Sequence, residues 1–427
     1  MNFALCLVSI MLIPLAAAGL ALIHQGLGRS RSAAHAMLAT LCALSVAAIV
    51  FVAVGFSLAG YESGASHIVS VGGGRFDLFG TEALLARSVR FDDAANLRPA
   101  LVLCFEMFAA GLAAMIPISA GSDRWRLGPI CAASALLAGF SWPLFAHWVW
   151  SAGWLNQLGP EFGLPAFSDL GGAGVIQAVG GLAAVSVVWI LGPRRGKYSS
   201  DGMATAIPGH NIVLVLAGCL LALVGWMGLE VAGSMLFYAA APGQAIGVMV
   251  NAMLSASAGA LGVVVTTRIR YRKPDASLSA NGWIAGLVAG SAGCGLVSPG
   301  AAIFIGLAAG VLVARLVELL ELHLLIDDPG GAVSVHAGAG LWGLVAFGFF
   351  APVGFGSTAE NVLAQLVGVG ALMGIVFPLI HAGNLLLNRV FPFRVDRDGD
   401  WQGMDIRELG AGAYPEFVIH ADEFIPR

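Results

Sequence analysis

Apolar residues follow one another in long runs along this chain, and polar residues are concentrated in the segments between the runs. A transmembrane helix needs about 20 mostly apolar residues. Proline suits a turn, so Pro299 separates two neighbouring runs that would otherwise fuse. This pattern predicts eleven membrane-spanning helices, near 4–24, 34–60, 98–120, 127–151, 171–192, 210–234, 242–267, 279–297, 299–321, 332–351 and 361–388.

The positive charges test this count. With the N-terminus outside, the inside segments hold 17 Lys and Arg residues, and the outside segments hold 4, all within one loop at about 61–97. Lys and Arg are enriched in cytoplasmic loops. No basic residue precedes the first apolar run, which we therefore interpret as a span rather than a signal peptide. The alternation predicts an N-terminus outside and a C-terminus inside.

These spans predict one transmembrane domain over residues 1–390 and a short cytoplasmic C-terminal region over 391–427. The C-terminal region is too short for a hydrophobic core of its own. We expect it to lie along the cytoplasmic face of the helices. The extracellular loop at about 61–97 lacks a clear period, and we predict an irregular segment there with no assigned function.

Composition supports the membrane assignment. Hydrophobic residues make up 58% of the chain and charged residues 11%, against about 25% charged residues in soluble domains. A chain this apolar cannot cover its exterior with polar groups, so lipid is its solvent. The net charge of -4 gives no indication of nucleic-acid binding.

The six cysteines lie singly in apolar runs, so we predict buried thiols and neither a disulfide, a metal site nor a cofactor.

An internal repeat places polar groups inside the membrane. The segment DLGGAGVIQAVGGL begins at Asp169, and DPGGAVSVHAGAGL begins at Asp328. By the predicted topology the two helices enter from opposite faces, as in inverted-repeat transporters whose site lies at the midplane. The repeats would cover about 4–192 and 210–351, with an extra helix at 361–388.

The spacing within the repeat predicts the depth of two polar residues. Gln177 and His336 each follow the Asp by eight residues, which is roughly 12 Å of helix rise. Both side chains therefore reach the bilayer centre, where polar groups are costly and mark a pathway or a helix–helix hydrogen bond. We favour a pore-lining role for both, with a plain interhelical bond as the alternative for Gln177. Asp169 and Asp328 are predicted structural helix caps.

The motifs resemble those of the ammonium transporter (Amt/Mep/Rh) family, and in particular its Amt branch. The resemblance covers nearly the whole chain. It rests on GLALIHQGLGRSRS at Gly19, GHN at Gly209, GWMGLEVAGS at Gly225, NGWIAGLVAGSAGC at Asn281, DDPGGAVSVHAGAGLWG at Asp327 and GMD with GAY after Gly403.

The resemblance implies an all-α homotrimer in the cytoplasmic membrane with one narrow hydrophobic pore per subunit. Ammonium would be recruited at an outer site that maps to Trp150, Phe105 and Ser234. An indole face attracts a small cation, and a hydroxyl oxygen accepts an ammonium hydrogen. The alternative for Trp150 is an anchor at the membrane interface.

Several positions depart from the family pattern. Gln177 stands where most relatives have histidine, and glutamine cannot carry a proton as imidazole can. The two gate phenylalanines of the family map to Ala109, with Phe108 adjacent, and to Leu229; we list these three as pore-lining. Glu230 replaces the usual asparagine and either faces the vestibule or lies on the outer rim.

The first functional hypothesis is ammonium or ammonia transport through this pore. The second is an ammonium sensor that conducts weakly or not at all and signals through a partner, and the third is a neutral-gas channel of the Rhesus type. No nucleophile–base pair indicates an enzyme. The basic loops RRGK at Arg194 and RIRYRK at Arg268 either contact a PII-type regulatory protein or only determine topology.

Overall fold

The computed structural model describes residues 2–61, 68–71, 74–92, 96–151, 153–352 and 355–414. These residues are helical apart from one small hairpin and the connecting segments. The long helices are α1 Phe3–Leu27, α2 Ser30–Ala59, α3 Arg98–Ala120, α4 Leu127–Trp150, α5 Ala173–Leu191, α6 Ile212–Phe237, α7 Gln244–Tyr271, α8 Ala276–Gly290, α9 Pro299–His323, α10 Val333–Phe350 and α11 Thr358–Val390.

Ten of these helices, all except α8, are long and apolar enough to cross a membrane within the part of the chain that is described. The predicted all-helical membrane fold is therefore confirmed. Helix α8 has 15 residues, about 22 Å at 1.5 Å per residue, and ends in the 3-10 turn Ser291–Gly293. It is separate from α9, because Ser298 caps α9 by accepting a hydrogen bond from the Ala301 amide. The count of eleven spans stays a prediction.

The loop between α2 and α3 is more regular than the sequence predicts. It contains an antiparallel hairpin, β1 Ile68–Val71 and β2 Gly74–Asp77, and the 3-10 turn Leu84–Ala86. The Asp77 carboxylate lies 3.4 Å from His147 Nε2, and both side chains are buried. This contact attaches the hairpin to α4. The short helix Leu158–Phe162 follows α4.

Helices α1 and α6 pack along much of their length at glycine positions. A Cβ atom on Gly225 of α6 would lie 2.0 Å from the Ala16 amide nitrogen of α1, and one on Gly19 would lie 2.5 Å from the Ala222 nitrogen. Any larger residue would push the helices apart. Such close approach is the usual role of small residues between membrane helices.

Helices α5 and α10, which contain the sequence repeat, each begin with a π-helical turn, at Ala173–Ala178 and Val333–Gly338. A π turn holds one more residue than an α turn and is common at functional sites. The two helices touch at Gly181, where a Cβ atom would lie 2.1 Å from the Ala337 nitrogen. This close crossing brings the first turns of the two helices together.

The polar segment after α11 forms the helix Arg397–Gln402 and the π turn Asp405–Leu409. It packs against the starts of two long helices. The Asp405 carboxylate accepts from the Ala34 and His35 amides of α2, and the Glu408 carboxylate accepts from the Leu127 amide of α4. The remainder of the predicted C-terminal region, after Tyr414, lies outside the described residues.

Candidate functional site

The structure brings Gln177 and His336 into direct contact. His336 Nδ1 lies 2.7 Å from Gln177 Oε1, and both side chains are buried. An amide oxygen only accepts hydrogen bonds, so Nδ1 carries the hydrogen when the ring is neutral. His336 Nε2 is then the unprotonated nitrogen, and its lone pair is free to accept a proton.

The two repeat carboxylates hold the π turns that carry this pair. Asp169 accepts from four amides, those of residues 172, 173, 174 and 175, at distances from 2.8 to 3.0 Å. Asp328 accepts from the Ala332 amide at 3.0 Å and the Val333 amide at 2.8 Å. These amides have no partner within the helix, so each carboxylate satisfies donors that the helix start leaves free.

An aromatic cluster of Trp150, Phe105 and Phe237 lies next to the Asp169 turn. Phe237 stacks on the Trp150 indole with ring centroids 4.6 Å apart and an interplanar angle of 2°. Phe105 meets both rings edge-on, at 5.7 Å from Trp150 and 5.4 Å from Phe237. Trp150 Nε1 donates to the Asp169 carbonyl at 2.8 Å, which connects the cluster to the start of α5.

Phe237 is a member of this cluster that the sequence analysis missed. It lies three residues after Ser234, at the end of α6, and belongs to none of the quoted motifs. Its ring covers one face of the indole, which is the surface that a cation would approach. The only sequence signal for Phe237 was its position three residues after Ser234. Its contact with Trp150 is seen only in the folded structure.

Ser234 lies on the same helix, one turn before Phe237, and is buried. Its hydroxyl donates to the Val231 carbonyl at 2.9 Å. The single hydroxyl hydrogen is therefore used within the helix. The oxygen keeps lone pairs with which it can accept a hydrogen from a bound ammonium ion.

Ala109 and Leu229, the predicted gate positions, are both fully buried. Ala109 follows Phe105 by one turn of α3 and shares its face. Phe108 departs from the prediction, since its ring lines an apolar groove of about 320 Å³ between α1, α2 and α3. It shares this groove-facing side of α3 with Met107, Gly111 and Leu112, so we do not retain it as a pore-lining residue.

Glu230 is fully buried, so the outer-rim interpretation is wrong. Its Oε1 atom accepts from the Ser291 hydroxyl at 2.8 Å, and the same hydroxyl oxygen accepts from Trp226 Nε1 at 2.9 Å. Its Oε2 atom has no hydrogen-bond partner among the described residues. Gly171 packs directly on the side chain, because a Cβ atom there would lie 2.9 Å from Glu230 Cγ.

A cavity of about 120 Å³ lies at the start of α10, and we call it the Asp328 cavity. A buried ion-pair cluster adjoins it, in which Arg194 donates to both Asp327 oxygens, at 2.9 and 3.0 Å, and to Asp123 at 3.0 Å. Burial raises the pKa of Asp327, but Arg124 and Arg194 outweigh it and lower the pKa to about 2. The lining of the cavity includes Leu27, Asn281, Asp327, Asp328 and Ser334.

The basic loops differ in their accessibility. In RRGK, Arg194 is buried by the ion pairs above, and Lys197 is buried against Glu321 at 2.6 Å. These two side chains are therefore not available to a regulatory partner. The RIRYRK segment that begins at Arg268 is exposed.

Comparisons with known proteins agree over nearly the whole chain. A family model, described as Ammonium Transporter Family, matches residues 4–414. The chain is 32% identical to the ammonium transporter Amt2 of Archaeoglobus fulgidus, over 99% of this chain and 90% of that relative. It is 28% identical to an ammonium transporter of Bacillus subtilis, over 93% and 94% of the two chains.

Solved structures share the fold. A structure described as Sensor Amt Protein superposes with a TM-score of 0.85 at 26% identity, covering 96% of this chain and 98% of that one. Mep2 of Candida albicans superposes with a TM-score of 0.80, covering 97% and 90% of the two chains. Its identity of 22% supports a likeness of fold only.

Proposed function

Because this chain belongs to the ammonium transporter family, we propose that it conducts ammonium through a pore between the aromatic cluster and the Asp328 cavity. The route passes Ala109 and Leu229 and then the Gln177–His336 pair. Ala109 lies on α3, Leu229 on α6, Gln177 on α5 and His336 on α10. The first turns of α5 and α10 and the glycine contacts between helices hold the site together. Ammonium enters at the aromatic cluster and leaves from the Asp328 cavity.

The contact between Gln177 and His336 carries this proposal. The amide oxygen fixes the hydrogen of His336 on Nδ1, which leaves Nε2 as an acceptor inside an apolar pore. An ammonium ion that reaches Nε2 gives up one proton, its N–H bond breaks, and neutral ammonia continues. Moving the neutral molecule avoids the cost of carrying a charge through the membrane centre.

The aromatic cluster supplies the cation before this step. The Trp150 indole attracts the charge of the ion through its quadrupole, and the Ser234 oxygen accepts one of its hydrogens. Phe237 covers the stacked face of the indole in this structure, so the ion displaces that ring on binding. The outer site is therefore closed until ammonium arrives.

The proposal includes the oligomeric state of the chain and its orientation in the membrane. The chain forms a homotrimer in the cytoplasmic membrane, with eleven spans, an outer N-terminus and an inner C-terminus. The positive charge on the predicted inside loops supports this orientation. A PII-type protein, if one binds, meets the exposed segment at Arg268 rather than Arg194.

A sensor is the second candidate function. The superposition on the structure described as Sensor Amt Protein supports it, and so do two features of the pore. Gln177 interrupts proton passage between paired imidazoles, and Phe237 closes the outer site. A sensor binds ammonium at Trp150 and passes the signal to a partner without a sustained current.

Electrophysiology on a supported membrane with purified protein tests the two functions. We expect an ammonium-dependent current in the wild-type protein that is lost in Trp150→Ala. Trp154→Ala is the matched control, because Trp154 contacts Trp148 and Phe76 rather than the cluster. Calorimetric binding of ammonium without any current would refute transport and support the sensor.

A further inference from the structure

A second buried imidazole, His24 of α1, lies within the motif GLALIHQGLGRSRS and has no role in the proposed pore so far. Its side chain is 3% exposed, and its Nδ1 atom has no hydrogen-bond partner among the described residues. Buried polar atoms almost always have partners, and ionisable residues inside a membrane usually mark a path for ions or protons. His24 therefore calls for a functional explanation.

The Asp328 cavity relates His24 to the proposed pore. Leu27 and Ser334 both line this cavity. His24 lies three residues before Leu27, about one turn of α1, and His336 lies two residues after Ser334. Both imidazoles are buried, at 3% exposure each. Both belong to helix segments that adjoin this cavity.

We propose that His24 is the second proton-carrying group of the pore and works as a pair with His336. The inference rests on the proposed transport function. Gln177 orients His336 but cannot carry a proton. His24 supplies the missing imidazole on the other side of His336, nearer the Asp328 cavity.

The proton balance is simple. Ammonium transfers a proton to His336 Nε2 and becomes ammonia. The His336 imidazolium passes a proton on to neutral His24, and His24 releases it to water in the Asp328 cavity. Ammonia takes up a proton again on that side, so one ammonium ion crosses in each cycle and no group is oxidised or reduced.

Two titratable groups on the helices packed against α1 have partners elsewhere. Cys219 donates its thiol hydrogen to the Ala280 carbonyl, and His35 contacts Glu408. These contacts direct neither Cys219 nor His35 towards His24 or His336. The titratable and charged residues on the helices packed against α1 are Cys219 and Glu230 on α6, Arg98, Cys104 and Glu106 on α3, and Arg31, His35 and Cys42 on α2.

The first experiment measures the ammonium current of His24→Gln, which keeps a polar side chain but removes the proton-carrying ring. We expect the current to fall by roughly 100-fold or more, within the range for loss of a positioned acid–base group. Adding Gln177→His should restore part of it, since that double variant again has two adjacent imidazoles. His381→Gln is the matched control, because His381 on α11 contacts Ser186 and lies outside the proposed pore. Wild-type current in His24→Gln would overturn the proposal.

The second experiment does not require conduction. Nitrogen-15 NMR of histidine-labelled full-length protein follows the protonation of His336 as the pH is lowered. A charged neighbour disfavours protonation, so His24→Gln should move the His336 midpoint to higher pH. An unchanged midpoint would overturn the pairing. If the wild-type protein carries no current, transport is refuted, and this measurement alone decides whether the two imidazoles are paired.

Discussion

Phe237→Ala tests the closure of the outer site. In the structure the Phe237 ring lies parallel to the Trp150 indole at 4.6 Å, a separation that leaves no room for an ion between them. A cation that binds this indole face must first displace the phenyl ring. Removing the ring removes that competition while Trp150, Phe105 and Ser234 stay in place.

The size of the effect follows from the stacked pair. An aromatic pair contributes about 0.5–1.5 kcal/mol beyond the area that it buries. If ammonium binding breaks this pair in the wild-type protein, Phe237→Ala avoids that cost. Converted to a ratio of dissociation constants, about 0.5–1.5 kcal/mol corresponds to binding that is roughly 2- to 13-fold tighter. The variant also loses some apolar packing, so its unfolding temperature should be lower than that of the wild-type protein.

Isothermal titration calorimetry with ammonium chloride measures this affinity, with choline chloride holding the ionic strength constant. Phe237→Trp is the control, because an indole at this position keeps the stacked face covered and should bind with wild-type affinity or more weakly. Weaker binding in Phe237→Ala would show that the ring belongs to the cation site itself. Unchanged binding would show that the stack does not compete with the ion, and either result refutes the closure.

Further variants test other parts of the site. Gln177→His restores the imidazole of the family and should raise ammonium flux; an unchanged flux would mean that Gln177 does not limit proton passage. Asp327→Asn removes one of the two carboxylates paired with the buried Arg194, with Asp123 remaining, and should cost about 3 kcal/mol of stability in detergent unfolding, the lower end of the range for breaking a buried ion pair. Because the folded pKa of Asp327 is lowered to about 2, its contribution is complete above about pH 4 and is lost as the pH falls towards 2, so the Asn variant should lack this part of the pH dependence below pH 4. Glu230→Gln keeps an acceptor for Ser291 and removes a buried carboxyl without a cationic partner, so its unfolding temperature should not decrease; a decrease would show that the carboxyl is needed for packing.

The sequence was sufficient where a short spacing determines position. The eight residues from each Asp to Gln177 or His336 predict a similar depth for both side chains, and the structure adds that the two are in contact. The caps were predictable for the same reason, since a carboxylate at a helix start has free amides beside it. Local periodicity therefore identified the centre of the site.

The remaining site residues depend on contacts between distant segments. Phe237 joins Trp150 only because α4 and α6 end at the same level, and no spacing along the chain encodes that. His24 lies on α1, far in sequence from His336 on α10, so their common position beside the Asp328 cavity required the fold. Phe108 lines the groove between α1, α2 and α3, whereas Phe105, three residues earlier, contacts Trp150 and Phe237, and only the packing of the helices separates the two.

The π turns at Ala173–Ala178 and Val333–Gly338 make the site sensitive to chain length as well as to residue type. Each turn closes with one residue more than an α turn. Deleting a single residue from either turn would restore α-helical winding and rotate the preceding cap by about 100° relative to the pore side chain. Deletion scanning should therefore find these two six-residue windows intolerant of shortening, even where an alanine substitution at the same positions is accepted.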